Sequence, residues 1–303
     1  MNGAAPAIAR VPRSGTALAA LLAGAAAIAS SALWVKVSEA GPVSTAVWRV
    51  VLALPLLWAW AAYDARRHPR ALTGSDLRLL AVAGFCFAGD LAVWHWSILL
   101  TSVANATLFA NCAPIFVTLA AWLVLRRRLS RRFLVGLIAA IVGMFMLLHG
   151  DFHDSGRALL GDVLGIVTAV FYAGYQMTVS RARDSVSTAR LMAVTGSVSA
   201  VILLPIALAS GERFVPATST GWLLLIGLAL TSQVAGQSLI AYALAHLPGT
   251  FASVALLVQA VIAAALAWLI LGETLTAFAI AGGVLVLIGI RIAHTAERMG
   301  KLV

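Results

Sequence analysis

The chain has 303 residues, 62% of them hydrophobic and only 11% charged, too few polar groups to cover a soluble domain. Its formal charge of +10 would suit nucleic acid if the basic side chains formed a stripe on a water-facing surface. They sit instead in short breaks between apolar runs, which points to lipid headgroups and excludes a nucleic-acid partner.

A bilayer core takes ~20 apolar residues per crossing helix, and the chain divides into ten such runs. The expected fold class is therefore an all-α membrane protein of ten transmembrane helices. In chain order the spans are 16–37, 42–62, 77–99, 103–125 and 132–149, then 159–180, 188–210, 221–244, 250–271 and 275–293. Arg10 and Arg13 precede the first run as in a signal peptide, but that run exceeds the ~7–15 residues of a signal core. It is read as an uncleaved span. Pro55, Pro114 and Pro205 fall inside spans, where a kink is tolerated because neighbouring helices satisfy the freed carbonyl. Cys86 and Cys112 lie in apolar runs without metal-ligand spacing and read as small buried hydrophobes, so no metal or cofactor is expected.

Lysine and arginine resist translocation and so set orientation. Of the 21 basic residues, 17 lie on the side of the N-terminus, including Arg66, Arg67, Arg70 and Arg78 between the second and third spans. The opposite side has Lys36, Arg157 and Arg213, and Arg49 is inside the second span. Both termini are thus expected in the cytoplasm, which an even number of spans requires. Arginine outnumbers lysine 19 to 2, a usage associated with GC-rich bacterial genomes, and the expected location is a bacterial inner (plasma) membrane.

Sliding the chain on itself by 146 residues lays the segment from Trp122 to Ser130 over that from Trp268 to Thr276, matching tryptophan, leucines and hydroxyl residue. The same shift superposes Gly136 on Gly282 and Gly143 on Gly289, and a shift of 143 lays Val43-Ser44-Thr45 on Val186-Ser187-Thr188. The second half repeats the first, in units 14–149 and 159–294. Five spans per unit is odd, so two copies in one chain must be inverted with respect to each other.

These residues resemble the drug/metabolite transporter superfamily, specifically its EamA-type members, over essentially the whole chain. The turn from Leu271 to Thr276 is similar to that family's turn before the last helix, and Gly161-Asp162 followed by Phe171-Tyr172-Ala173 to its sixth-helix opening. Arg127 departs from the pattern by standing where the family has a glutamate. The resemblance implies export or exchange of small metabolites, with amino acids among the commoner substrates and the aromatic amino acid exporters as a candidate group.

Polar groups at membrane depth mark candidate sites. Asp90 lies roughly 14 Å, and Arg49 roughly 10 Å, below the outer ends of their helices at ~1.5 Å per residue. Asp90 either binds a substrate ammonium or exchanges a proton, or else pairs with Arg49 as a buried structural ion pair. Thr168, Tyr172, Tyr175 and Gln176 share a face of the sixth span, Gln233 and Gln237 one of the eighth, and Thr107, Asn111, Pro114 and Thr118 one of the fourth. Each stripe serves either a cavity or hydrogen bonds between helices. Trp34 and Trp94 offer aromatic faces suited to an amine with an apolar body. Trp58, Trp60 and Trp222 read as interface anchors. His95, roughly 140° around the helix from Asp90, reads as structural or interfacial. Gly136, Ala140 and Gly143, with Gly282 and Gly289, form small-residue packing faces.

A secondary transporter exporting small metabolites by alternating access follows, most simply for amino acids with aromatic or hydrophobic ones favoured. The alternative is a multidrug or lipid-linked-intermediate carrier of the same fold; the rival from another class is a non-transporting scaffold. No phosphate-binding loop, His-Glu-x-x-His or Gly-x-Ser-x-Gly is present, so no enzyme is expected. The expected partners are a small-molecule substrate and the lipid bilayer, with the chain monomeric or homodimeric.

Overall fold

A computed structural model describes residues 14–124, 126, 129–148, 156–272 and 275–300. Its ten apolar spans are α1 (Gly15–Val35), α2 (Pro42–Arg67), α3 (Gly74–Leu100), α4 (Asn105–Leu123) and α5 (Arg131–Leu148), followed by α6 (Gly156–Ala182), α7 (Thr188–Ala209), α8 (Ser219–Leu244), α9 (Gly249–Ile270) and α10 (Ala277–Ala296). Long apolar side chains such as Leu119, Val201 and Leu269 point outward, which is stable only against lipid. The protein is a multi-pass membrane protein. Expected ends at 125 and 149, and the residues Arg10, Arg13, Arg127, Arg128, Glu273 and Thr274, lie outside the described residues.

Several helices run past the expected ends. α2 continues through Tyr63-Asp64-Ala65-Arg66-Arg67, because hydropathy marks where hydrocarbon stops and not where the backbone ladder stops. There Arg67 lies over the Tyr63 ring, 4.7 Å from its centroid, an amphipathic pair suited to the headgroup layer. Ladder breaks fall at Leu52-Ala53, before Pro55, and at Asn111-Cys112, before Pro114, since proline cannot donate to the carbonyl four residues back. Pro205 sits within the continuous helix of α7. Three interruptions carry no proline: α1 breaks at Ser30, α9 at Leu256-Leu257, and residues Ala229–Gln237 of α8 wind as a π-helix.

The breaks in α4 and α9 lie at nearly the same place under the 146-residue shift. So do two left-handed residues, Arg126 (φ 50°) and Gly272 (φ 69°). The repeat is therefore visible in backbone conformation as well as in sequence.

α5 and α10 form the tightest pair. A Cβ on Gly136 would lie 2.7 Å from the Gly289 carbonyl oxygen and one on Gly289 2.6 Å from that of Gly136; Gly143 and Gly282 stand 2.6 Å from each other's carbonyls in the same way. Only glycine permits that approach. Elsewhere α3 packs on α6 as α8 packs on α1, α4 on α6 as α9 on α1, and α2 packs on α7.

Polar latches close the bundle at both ends. At the arginine-rich end, the Ser185 hydroxyl donates to Asp76 (2.7 Å), the Ser187 hydroxyl to Asp64 (2.6 Å), and Arg190 to the His68 carbonyl (2.6 Å). At the other end Glu212 accepts the Val43 N–H (3.0 Å), and Glu39 accepts the Ala217 N–H (2.8 Å) together with the Thr218 N–H and hydroxyl. The first latch joins the α2–α3 and α6–α7 connections and the second the α1–α2 and α7–α8 connections. Each ties one half of the chain to the other.

Candidate functional site

Between the latches lies a cavity of about 160 Å³, close to the ~150 Å³ known to admit one benzene ring. Its walls come from both halves: Ser31 and Val35 beyond the break in α1, Thr45 and Arg49 of α2, Phe87, Asp90, Trp94 and His95 of α3, and Thr107, Ala110 and Asn111 at the break in α4. The second half adds Thr168 and Tyr172 of α6, Gln237 at the end of the π-helix, and Gln259, Ala260 and Ala263 just past the break in α9. Interrupted helices therefore meet at this space. Irregular backbone at membrane depth is tolerated where it lines a cavity, and half-helix ends there are the usual builders of transporter sites.

Several polar groups along the cavity are not satisfied by one another. Arg49 is 8% exposed, its guanidinium carbon stands 5.8 Å from the Phe87 ring centroid, and its Nε has no hydrogen-bond partner. Arg49 and Asp90 feel each other's charge, yet they do not appear among the ion pairs of the described residues, for which the limit is 4.0 Å between nitrogen and oxygen. The contact pair considered from sequence is in this structure two charges held apart on one cavity wall. His95 Nδ1 lies 2.5 Å from the Leu91 carbonyl while its Nε2 has no partner. A carbonyl only accepts, so Nδ1 carries the proton and a neutral imidazole leaves Nε2 as an acceptor. Asn111 donates its amide to the Thr107 carbonyl (2.9 Å), which leaves its Oδ1 lone pairs available.

Of the residues singled out in the sequence, Arg49, Asp90, Trp94, Thr107, Asn111, Thr168, Tyr172 and Gln237 share the cavity. Trp34, Tyr175, Gln176 and Gln233 do not line it. The Trp34 ring packs over Gly227 of α8, 2.9 Å from where a Cβ would be. Tyr175 stands behind Tyr172, rings stacked at 6.2 Å, and its hydroxyl donates to Gln237 Oε1 at 3.3 Å. Gln176 and Gln233 are buried, each with an unpartnered Oε1. The cavity covers only one turn of each stripe, so residues one turn along the same face fall between helices. Sequence reasoning passed over Thr45, Phe87 and Gln259, and treated His95 as structural although its ring reaches the space. Gln259 carries a legible signal, a lone amide in a strongly apolar run, and it sits beside the Tyr172 hydroxyl.

The EamA-like transporter family model matches residues 14–149 and again 159–295. The chain belongs to the EamA-like transporter family. This EamA-like protein is 28% identical over 218 residues to the pseudopaline exporter CntI of Pseudomonas aeruginosa, covering 72% of this chain and 75% of that one. It is 26% identical over 273 residues to an uncharacterized transporter of Archaeoglobus fulgidus, covering 86% and 91%. A solved crystal structure with 16% sequence identity superposes with a TM-score of 0.77, covering 93% of this chain and 99% of the other, which bears on the fold alone. The family and its relatives make the protein a membrane transporter.

Proposed function

We propose that the protein is a secondary transporter that exports small amphipathic metabolites, amino acids foremost and aromatic or hydrophobic ones in particular, across a bacterial inner membrane. The observation that carries this reading is the cavity itself: an unpaired carboxylate, Asp90, beside the aromatic faces of Phe87, Trp94 and Tyr172, where broken helices from both halves meet. A carboxylate at membrane depth needs a cation, and an aromatic wall suits an apolar body. The two halves lie inverted about this space, with both termini in the cytoplasm. The reciprocal glycine contacts of α5 and α10 support it, because a two-fold axis makes residue i touch j wherever j touches i. The chain works as a monomer or homodimer, with substrate and lipid as its partners.

Cavity size favours this over a multidrug or lipid-linked carrier. About 160 Å³ is below the ~300–1,000 Å³ usual for drug-sized ligands. The test is counterflow of labelled phenylalanine, tyrosine and tryptophan into proteoliposomes, with and without a pH gradient. Saturable accumulation is expected and would exclude a scaffold; no amino-acid signal across the panel overturns the substrate class.

A further inference from the structure

We propose that Arg49 is a carboxylate-binding residue and Asp90 an ammonium-binding residue of one subsite, so that the cavity selects zwitterions over singly charged solutes. The proposal rests on reading the cavity as the solute site and adds which end of the solute each wall holds.

Three observations carry it. Arg49 is more than nine-tenths buried, with an Nε that has no partner and a guanidinium placed over the Phe87 ring. Asp90 lines the same space, yet no direct ion pair joins the two. His95 presents a second unpartnered polar atom, the acceptor Nε2, on the same wall. Were the two charges there only to brace α2 against α3, contact would be their best arrangement, since attraction weakens with distance. They are held apart instead, which leaves room for a group between them.

The guanidinium is a planar fork that matches a carboxylate with two parallel N–H···O bonds. A guest with a carboxylate toward Arg49 and an ammonium toward Asp90 and His95 Nε2 compensates every charge in the cavity. An amine without a carboxylate leaves Arg49 uncompensated, and an acid without an amine leaves Asp90 so. Sites built around buried polar groups reject analogues that leave those groups unpaired more strongly than they reject a missing methylene.

The test uses three probes of one shape, phenylalanine, phenethylamine and 3-phenylpropionate, with full-length protein in detergent and in proteoliposomes. Ligand-induced thermal stabilisation gives relative affinities, and competition against labelled phenylalanine counterflow checks them. Wild type should favour phenylalanine at least tenfold over either analogue. Arg49→Gln should lose the preference over phenethylamine while keeping that over 3-phenylpropionate; Asp90→Asn should do the reverse. Either single variant leaves a lone buried charge that can impair folding, so the double variant R49Q/D90N, with none, should fold and discriminate among the three by less than about threefold. Arg49→Lys keeps the charge but not the fork and should restore part of the lost preference. If Arg49→Gln weakens all three probes alike, or the double variant keeps the wild-type preference, Arg49 is a brace and the subsite is wrong although transport stands. If the wild type responds to none of the probes in either assay, the amino-acid reading falls and the subsite falls with it.

Discussion

A carboxylate at membrane depth is costly unless something compensates it, and Asp90 faces a cavity with no cation within contact distance among the described residues. Its replacement is the most informative change at the scale of one side chain. Asp90→Asn keeps the shape and removes the charge, so in the protein that folds phenylalanine flux per molecule should fall at least tenfold. Unchanged flux in the folded variant would remove Asp90 from the solute site. Trp94 separates a different contribution. Its ring meets His95 edge-on at 4.9 Å and supplies apolar wall, so Trp94→Ala should weaken aromatic substrates by about 0.5–1.5 kcal/mol, roughly 2- to 12-fold, while alanine transport changes little. Asp90 was legible because an acidic residue in an apolar run is conspicuous. Thr45 and Phe87 were not, since a threonine at a helix start and a phenylalanine in an apolar run are ordinary in any span; only the packing of α2 against α3 turns them to one space.

At the scale of elements, the repeat makes one turn serve as a control for the other. Gly272 adopts φ 69° without cost, but its counterpart Arg126 takes φ 50°, a conformation that strains a side-chain-bearing residue by about 1–2 kcal/mol. Arg126→Gly should therefore raise the melting temperature, and a clear fall would mean that the arginine side chain contributes more than the strain costs. The α5–α10 pair has no such slack. A Cβ on Gly143 meets the Gly282 carbonyl at 2.6 Å and the Val286 nitrogen at 2.6 Å, both backbone atoms that cannot turn aside. Gly143→Ala should cost about 1–3 kcal/mol, read as a lower melting temperature, whereas Gly156→Ala, with nothing near its Cβ, should leave stability unchanged. The pairing partners Gly136, Gly143, Gly282 and Gly289 were readable as small faces, but which face meets which required the structure, because spacing alone fits many pairings. Charge also acts at helix ends. The Thr218 hydroxyl, with the Thr218 and Ala217 N–H groups, holds Glu39 below the ordinary carboxylate range. A depressed folded value means the latch contributes fully above the ordinary range and is lost as pH falls through the folded value. The connection should accordingly loosen as pH falls through that depressed value, read as susceptibility to pepsin, and Glu39→Gln should loosen it already at neutral pH, read as faster labelling of a cysteine placed in the α7–α8 connection.

The whole molecule turns on how its halves face. Ten spans were legible because apolar runs of helical length have no other explanation in a chain this poor in charge, and the repeat was legible because Trp122 and Trp268 anchor matching turns. The interruptions in α1, α8 and α9 were not, since without proline at the break they follow from tertiary packing and not from local propensity. The proposed inversion rests on an odd number of spans per half, and it has a consequence that compares equivalent loops. The α2–α3 connection of the first half corresponds to the α7–α8 connection of the second, and each is latched at its own end of the bundle by the other half's loops. If the halves are inverted, these two equivalent loops lie on opposite sides of the membrane. Arg67 and Arg213, both exposed, report on them. With an impermeant thiol reagent, Arg213→Cys should label in intact cells and Arg67→Cys only after permeabilisation. Labelling of both from the same side would make the halves parallel, which five spans each forbids, so the count of spans itself would have to be wrong.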